Sequence, residues 1–341
     1  MRIVPFKQVD VFTKVPYRGN PVAVILDGEG LSDAQMQQLA AWTNLSETTF
    51  VLPPTQPGAD YRVRIFTPRQ ELSFAGHPSV GTAHAVLEAG WARQHDHLLV
   101  MECAAGVLPI SIDGDGAERR IAVQAPPAEI GETELTLAVA LAKALRATVR
   151  QTPSPRPVKV GPWWLVAELD DEDAVRALEP DMARVIELSR ETDAVGIAAY
   201  ARCESPDYAI VVRCFAPVDG IPEDPVTGSG NACIAAFLRA NGLLPEGDAS
   251  YRASQGREVG RDGYLDMTVT ADGRIVRASD DSGFGDHRIR HERRFDLHRA
   301  HAVTRDVEHV VDAAGDREVA GGGIADRAVA GEVVLALEIG R

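Results

Sequence analysis

The chain is poor in positive charge, in cysteine and in long apolar runs, and each shortage removes a class of function. Its 341 residues carry 35 lysines and arginines against 50 aspartates and glutamates, a formal net charge of −15. A surface of that sign repels phosphate backbones and anionic lipid, which argues against nucleic-acid and membrane partners. No stretch approaches the roughly 20 consecutive apolar residues that a spanning helix needs. The opening MRIVPFKQVDVFT alternates like a strand and lacks the apolar run and cleavage site of a secretory signal, so the expected compartment is the cytoplasm. Only four cysteines occur (Cys103, Cys203, Cys214 and Cys233), far apart and without metal-like spacing. They read as free, mostly buried thiols that fill cores in a reducing compartment. Nucleotide signatures are missing too. No GxGxxG follows an early strand, and TGSG at 227–230 lacks the lysine of a phosphate-binding loop.

What is present is material for folded cores: 45% hydrophobic and 25% charged residues, an ordinary globular balance. A chain of 341 residues exceeds what one core usually serves, so two domains are expected. Ile3 to Phe12 alternates as a strand, and the turn Arg18-Gly19-Asn20-Pro21 leads into another, Val22 to Leu26. Ser32-Asp33-Ala34-Gln35 is a capping box; the helix it opens has Met36, Leu39 and Ala40 on its apolar face and stops near Asn44. Thr48 to Leu52 and Tyr61 to Phe66 read as strands, and a turn-rich loop from Thr67 to Pro78 leads into a small-residue helix over about 79–90. APPAEIGETE, from Ala125, looks like a connection between domains. Beyond it the spacing predicts helices over 134–145, 171–178 and 181–190, strands over 164–168, 194–200 and 207–216, and then a helix ending at Gly242. Strands near 250–254 and 264–277 follow.

A faint internal repeat organises this list. His77-Pro78-Ser79-Val80-Gly81-Thr82-Ala83 matches Asp224-Pro225-Val226-Thr227-Gly228-Ser229-Gly230. Each copy follows a strand ending Phe-x-Pro, at Phe66-Thr67-Pro68 and Phe215-Ala216-Pro217, and each opens an apolar helix that ends in glycine, Gly90 or Gly242. Two Gly-rich turns can match by chance, but a shared strand before and helix after make chance the weaker account.

Proline fixes the entry to each helix, and glycine lets backbone approach a ligand. If the halves face each other, two helix N-termini point into one cleft. Their open N–H groups favour a carboxylate or a developing enolate. Proton transfer further needs an acid or base with a shifted pKa. Glu47, in TNLSETTF, has apolar and hydroxyl neighbours that could desolvate it, although a glutamate at a surface turn is the blander reading. His77 is either a second acid/base or a helix cap, and Asp224 faces the same choice. Asn20 either binds substrate or serves its turn.

DVFT…YRGNPVAV, NLSETTF, FTPRQELSFAGHPSVGTAHA and EDPVTGSG, in that order, resemble the PhzF family, the phenazine-biosynthesis-like isomerases, from the N-terminus to about residue 276. The resemblance implies an α+β fold of two pseudo-symmetric, diaminopimelate epimerase-like domains, each a sheet wrapped around a central helix, with the site in the cleft between them. Residues 1–125 and 126–276 would be these domains. It implies a cofactor-independent, metal-free isomerase acting on a small carboxylate, in a chain that commonly forms a homodimer. Glu47 matches the family's acid/base, and His77 and Asp224 match the residues that bind substrate and relay the proton. Asn20, Gly76, Gly228 and Ser229 match substrate-holding positions. The related epimerases use one cysteine from each domain; AGHPS and EDPVTG contain none, which reads against a two-thiol mechanism.

The chain departs from the family after residue 276. Residues 277–320 hold His287, His291, His298, His301 and His309, five of the nine histidines, with no apolar stripe to fix them as metal ligands. A solvated, disordered insertion is the favoured reading. A shifted reading frame in GC-rich codons would leave the same composition, and re-sequencing the gene separates the two. The end, 321–341, resembles the family's closing strands.

Overall fold

The computed structural model describes residues 2–114, 119–134 and 136–280, with two short strands at 293–296 and 335–339. The stretch carrying the five clustered histidines therefore lies outside the described residues.

The first half runs β1 (Arg2–Val11), β2 (Asn20–Ile25), α1 (Asp33–Thr43), β3 (Glu47–Leu52), β4 (Tyr61–Phe66) and β5 (Glu71–Leu72). It continues with α2 (Gly76–Glu88), β6 (Leu98–Cys103), β7 (Gly106–Asp113) and β8 (Arg120–Gln124). After β9 (Glu129–Ile130) and α3 (Leu137–Leu145) come β10 (Arg156–Lys159), β11 (Trp163–Glu168), α4 (Glu172–Arg176) and α5 (Met182–Thr192). Then follow β12 (Gly196–Arg202), β13 (Ile210–Ala216), β14 (Ile221–Asp224), α6 (Gly228–Ala240), β15 (Ala249–Gln255), β16 (Gly263–Val269) and β17 (Ile275–Asp280). The outlying strands are β18 (Arg293–Asp296) and β19 (Leu335–Ile339).

The repeat seen faintly in sequence is complete in the strand pairing. In the first half β1–β2 is antiparallel, β2–β3 parallel, β3–β4 and β4–β5 antiparallel, β4–β6 parallel, and β6–β7 and β7–β8 antiparallel. The second half repeats that pattern through β10–β11, β11–β12, β12–β13, β13–β14, β13–β15, β15–β16 and β16–β17. The two runs join where β17 pairs antiparallel with β8. At their other ends β9 flanks β10 just as β19 flanks β1.

Each run wraps a helix. α2 packs against β1, β2, β3, β4 and β8, while α6 packs against β9, β10, β11, β12, β16 and β17. A helix surrounded on all sides cannot be amphipathic. Eleven of the 13 residues of α2 are buried, most of them small. A Cβ at Gly81 would collide with the Val22 side chain, so glycine there sets how closely α2 approaches the sheet. α1 lies outside, with the expected capping box at Ser32, the expected buried face Met36, Leu39 and Ala40, and Asn44 in a left-handed C-cap.

Several boundaries differ from the sequence reading, among them those of α3, which begins at Leu137 rather than 134, and of β13, which begins at Ile210 rather than 207. α2 begins at Gly76 rather than 79, because a proline fits the first turn of a helix, where its missing N–H costs nothing. The single strand expected over 264–277 is two, β16 and β17, separated by a turn in which Gly273 has φ +83°.

Candidate active site

The first turns of α2 and α6 open on one cavity of about 180 Å³ between the halves. Its lining includes Glu47 and Gly76 from the first half and Trp164, Asp219, Asp224 and Ser229 from the second. Neither N-cap residue, Ala75 or Thr227, caps its helix with a side chain. Both helix ends thus present backbone N–H groups toward the space between them.

Glu47 is the first residue of β3, paired in parallel register with Val22, and not part of a surface turn. Its side chain is 13% exposed, and Oε2 lies 3.3 Å from Nε2 of His77. Burial, then the negative charges of Asp224 and Asp219, hold its carboxyl well above the usual carboxylate range. His77 is buried in the first turn of α2, past the N-cap position, so it does not cap the helix. Its ring also tilts against that of Phe12, 6.5 Å away.

Asp224 ends β14, three residues ahead of the N-cap of α6, and is likewise no cap. Its Oδ1 accepts hydrogen bonds from Asn20 Nδ2 at 2.9 Å and from Ser46 Oγ at 3.0 Å. Asn20 donates as well to the carbonyl of Val226 at 2.9 Å and is fully buried. The first half thereby grips the loop that carries Asp224. Burial raises the Asp224 carboxyl above its ordinary value, with bonds from Thr227, Ser46 and Asn20 acting against that rise.

The residues expected from sequence converge, but not in equal positions. Glu47, Gly76, Asp224 and Ser229 line the cavity; His77 stands behind Glu47, and Asn20 stands behind Asp224. Gly228, the first residue of α6, is buried and is not in the lining. Four further residues were missed. Ser46 could have been found as the neighbour of Glu47. Trp164, Asp219 and Gln255 had no local signal: Gln255 reaches the loop from 28 positions away, Trp164 reaches Ser229 from 65, and Asp219 is in a short turn before β14.

No cysteine lines the cavity; Cys103, Cys214 and Cys233 are buried elsewhere and Cys203 is half-buried, all four as free thiols. Among the described residues no group of three or more His, Cys, Asp or Glu side chains could hold a metal ion, and no helix is long and apolar enough to cross a membrane.

Known proteins are similar to this chain in sequence and in fold. The family model described as phenazine biosynthesis-like protein matches residues 9–282. The protein named antisense-enhancing sequence 1, from Schizosaccharomyces pombe, is 37% identical over 268 residues, 77% of this chain and 90% of that one. The trans-2,3-dihydro-3-hydroxyanthranilate isomerase of Pseudomonas aeruginosa is 33% identical over 291 residues, 81% of this chain and 94% of its own. Among solved structures, a PhzF-family phenazine biosynthesis protein from Bacillus anthracis superposes with a TM-score of 0.73 at 25% identity, covering 82% of this chain and 96% of that one. Two pseudo-symmetric halves of one continuous sheet, each around a central helix, a shared cleft and similarity over four-fifths of the sequence lead to one conclusion: the chain belongs to the PhzF, or phenazine biosynthesis-like, family of isomerases, with its diaminopimelate epimerase-like fold.

Proposed function

We propose that the protein is a cofactor-independent isomerase that moves a proton within a small carboxylate-bearing substrate of the dihydrohydroxyanthranilate kind. One observation carries the reading: a buried glutamate with a raised pKa, 3.3 Å from a histidine, faces a cavity at two open helix N-termini. A carboxyl held above its ordinary range is a stronger base once ionised and keeps its proton to higher pH than a free carboxyl, so one group can both take and return a proton.

In this mechanism the Glu47 carboxylate abstracts a proton from a substrate carbon. The electron pair shifts through the adjacent double bond toward the substrate carboxylate, and negative charge builds on its oxygens. N–H groups of Gly76 and Ser229, at the two helix starts, stabilise that charge. Glu47 then delivers its proton to a different carbon of the same molecule, leaving no net change in protons or electrons. His77 orients and assists Glu47, Asp224 holds or relays a proton at the substrate's polar groups, and Asn20 keeps Asp224 in place.

The test is incubation with trans-2,3-dihydro-3-hydroxyanthranilate and related cyclic acids in deuterated water. Isomerisation with solvent deuterium at the newly protonated carbon is expected, and Glu47→Gln abolishes it. Absence of both turnover and exchange across the panel refutes the reading. Tight binding that survives Glu47→Gln without exchange would make the protein a binder of small acids. Loss of optical activity without a double-bond shift would make it an epimerase, although no thiol lines the cavity for the two-cysteine route. A homodimer in the cytoplasm belongs to the same reading; sedimentation giving only monomer at micromolar concentration removes the dimer.

A further inference from the structure

Ser229 lies in the first turn of α6 and lines the cavity. Its Oγ accepts a 3.1 Å hydrogen bond from Nε1 of Trp164, a residue of β11 that is 3% exposed and lines the same cavity. An indole nitrogen donates and never accepts. The hydroxyl is thus the receiving partner here, and its own proton must point elsewhere. Among the described residues no acceptor takes that proton. Trp164 is well placed to impose this. Its backbone is paired in register with Val158 on one side and Gly196 on the other, so the indole is carried by an interior strand.

We propose that Trp164 is a positioning residue that makes Ser229 a hydrogen-bond donor aimed into the cavity, offering its proton beside the backbone N–H groups of α6 to a substrate carboxylate oxygen. This rests on the reading above, in which that turn receives the carboxylate. An isolated serine hydroxyl is ambivalent, because it rotates to donate or to accept as its neighbour requires. With the indole on one of its two lone pairs its proton is turned away from Trp164 and left for a ligand acceptor, and accepting one hydrogen bond strengthens the one it gives. The bias matters in this cavity because, among the described residues, its lining contains no Lys, Arg or His. Neutral donors must take the substrate's charge.

Titration calorimetry with anthranilate and its carboxamide, on the wild type, Trp164→Phe, Ser229→Ala and the double variant, tests the link. Phenylalanine keeps an aromatic wall and removes the N–H. Trp164→Phe should weaken anthranilate by about 3–10-fold and Ser229→Ala by about 10-fold, the scale of one lost hydrogen bond to a charged group. The carboxamide should change less than about 2-fold in either, and the double variant should bind anthranilate within about 2-fold of Ser229→Ala, since both changes remove one link. Equal losses for the two ligands, or full additivity in the double variant, overturn the proposal and leave the carboxylate reading standing. Ser229→Ala without effect on anthranilate overturns both. Nitrogen-15 spectra of wild type and Ser229→Ala carry the test even if Trp164→Phe does not fold. One of the four indole signals should shift on that substitution, and also on adding anthranilate to the wild type. Four indole signals unmoved by Ser229→Ala overturn the proposal.

Discussion

Replacing Gln255 by alanine should cost both stability and catalysis, although Gln255 touches no substrate. Its side chain is fully buried behind the loop that carries Asp224. Oε1 accepts from the backbone N–H of Thr227 and from Asn231 Nδ2, both at 3.0 Å. Nε2 donates to the carbonyl of Asp224 at 2.8 Å and to Thr227 Oγ1 at 2.9 Å. One amide therefore ties together the last residue of β14, the N-cap of α6 and its first turn. Truncation strands several buried polar groups, each costing about 1–3 kcal/mol if nothing replaces the bond. A water entering the vacated space would recover part of that. The expected loss is on the order of 3–5 kcal/mol, among the larger single-residue effects. Because misplacing a reacting group by about 1 Å can cost about 100-fold in rate, kcat should fall by a similar factor under conditions where the variant is folded. Urea unfolding followed by circular dichroism and by tryptophan fluorescence measures the first quantity, and deuterium exchange into substrate measures the second. Gln70→Ala is the control: it removes a single 3.2 Å bond to Asp219 on an exposed rim and should stay within about 0.5 kcal/mol. A loss under about 1 kcal/mol with kcat intact would refute the role given to Gln255, since a buried four-way link cannot be removed at so little cost.

Three further outcomes are expected. If Glu47 must be ionised to abstract a proton, the acid limb of kcat/KM lies above the ordinary carboxylate range; Asp219→Asn removes one of the charges that raise Glu47 and should move that limb down, whereas an unmoved limb would detach it from Glu47. The native-state pKa of Glu47 lies above its unfolded value, so the native state is the one that retains the proton, and wild-type stability falls as pH climbs from the unfolded value through the native one. Glutamine has no such loss, so the Tm advantage of Glu47→Gln should be smallest below about pH 4 and grow toward pH 8; a difference independent of pH would contradict it. Gly196→Ala should destabilise by about 1–3 kcal/mol or more in thermal melts, because its Cβ would overlap the backbone carbonyl of Phe215, which cannot rotate away.

Much of the fold was legible because it was local. The capping box at Ser32 and the face Met36, Leu39 and Ala40 are set within four residues of one another, and the structure reproduces them. Tyr61 to Ile65 alternates apolar and charged residues, and Tyr61 to Phe66 is a strand. The repeat was legible only at its glycine turns. Its larger part is a matching order of parallel and antiparallel strand pairs, which leaves almost no trace in side-chain identity. The reading of Asp224 as a cap failed because a cap is defined by where the helix starts, and α6 starts at Gly228, leaving Thr227 as its N-cap.

Sequence alone was enough to single out a glutamate, a histidine and an aspartate as candidates for proton handling, and to set two glycine-led helices as the candidates for holding an anion. Tertiary structure decided what those groups are. Asn20 meets Asp224 across 204 positions and Ser46 meets it across 178, so the contacts that hold the aspartate belong to the other half of the molecule. The raised pKa of Glu47 has its origin in burial and in two carboxylates more than 170 residues away in the chain. Desolvation and Coulomb repulsion depend on distance through space, and a linear order of residues does not contain that distance until the chain has folded.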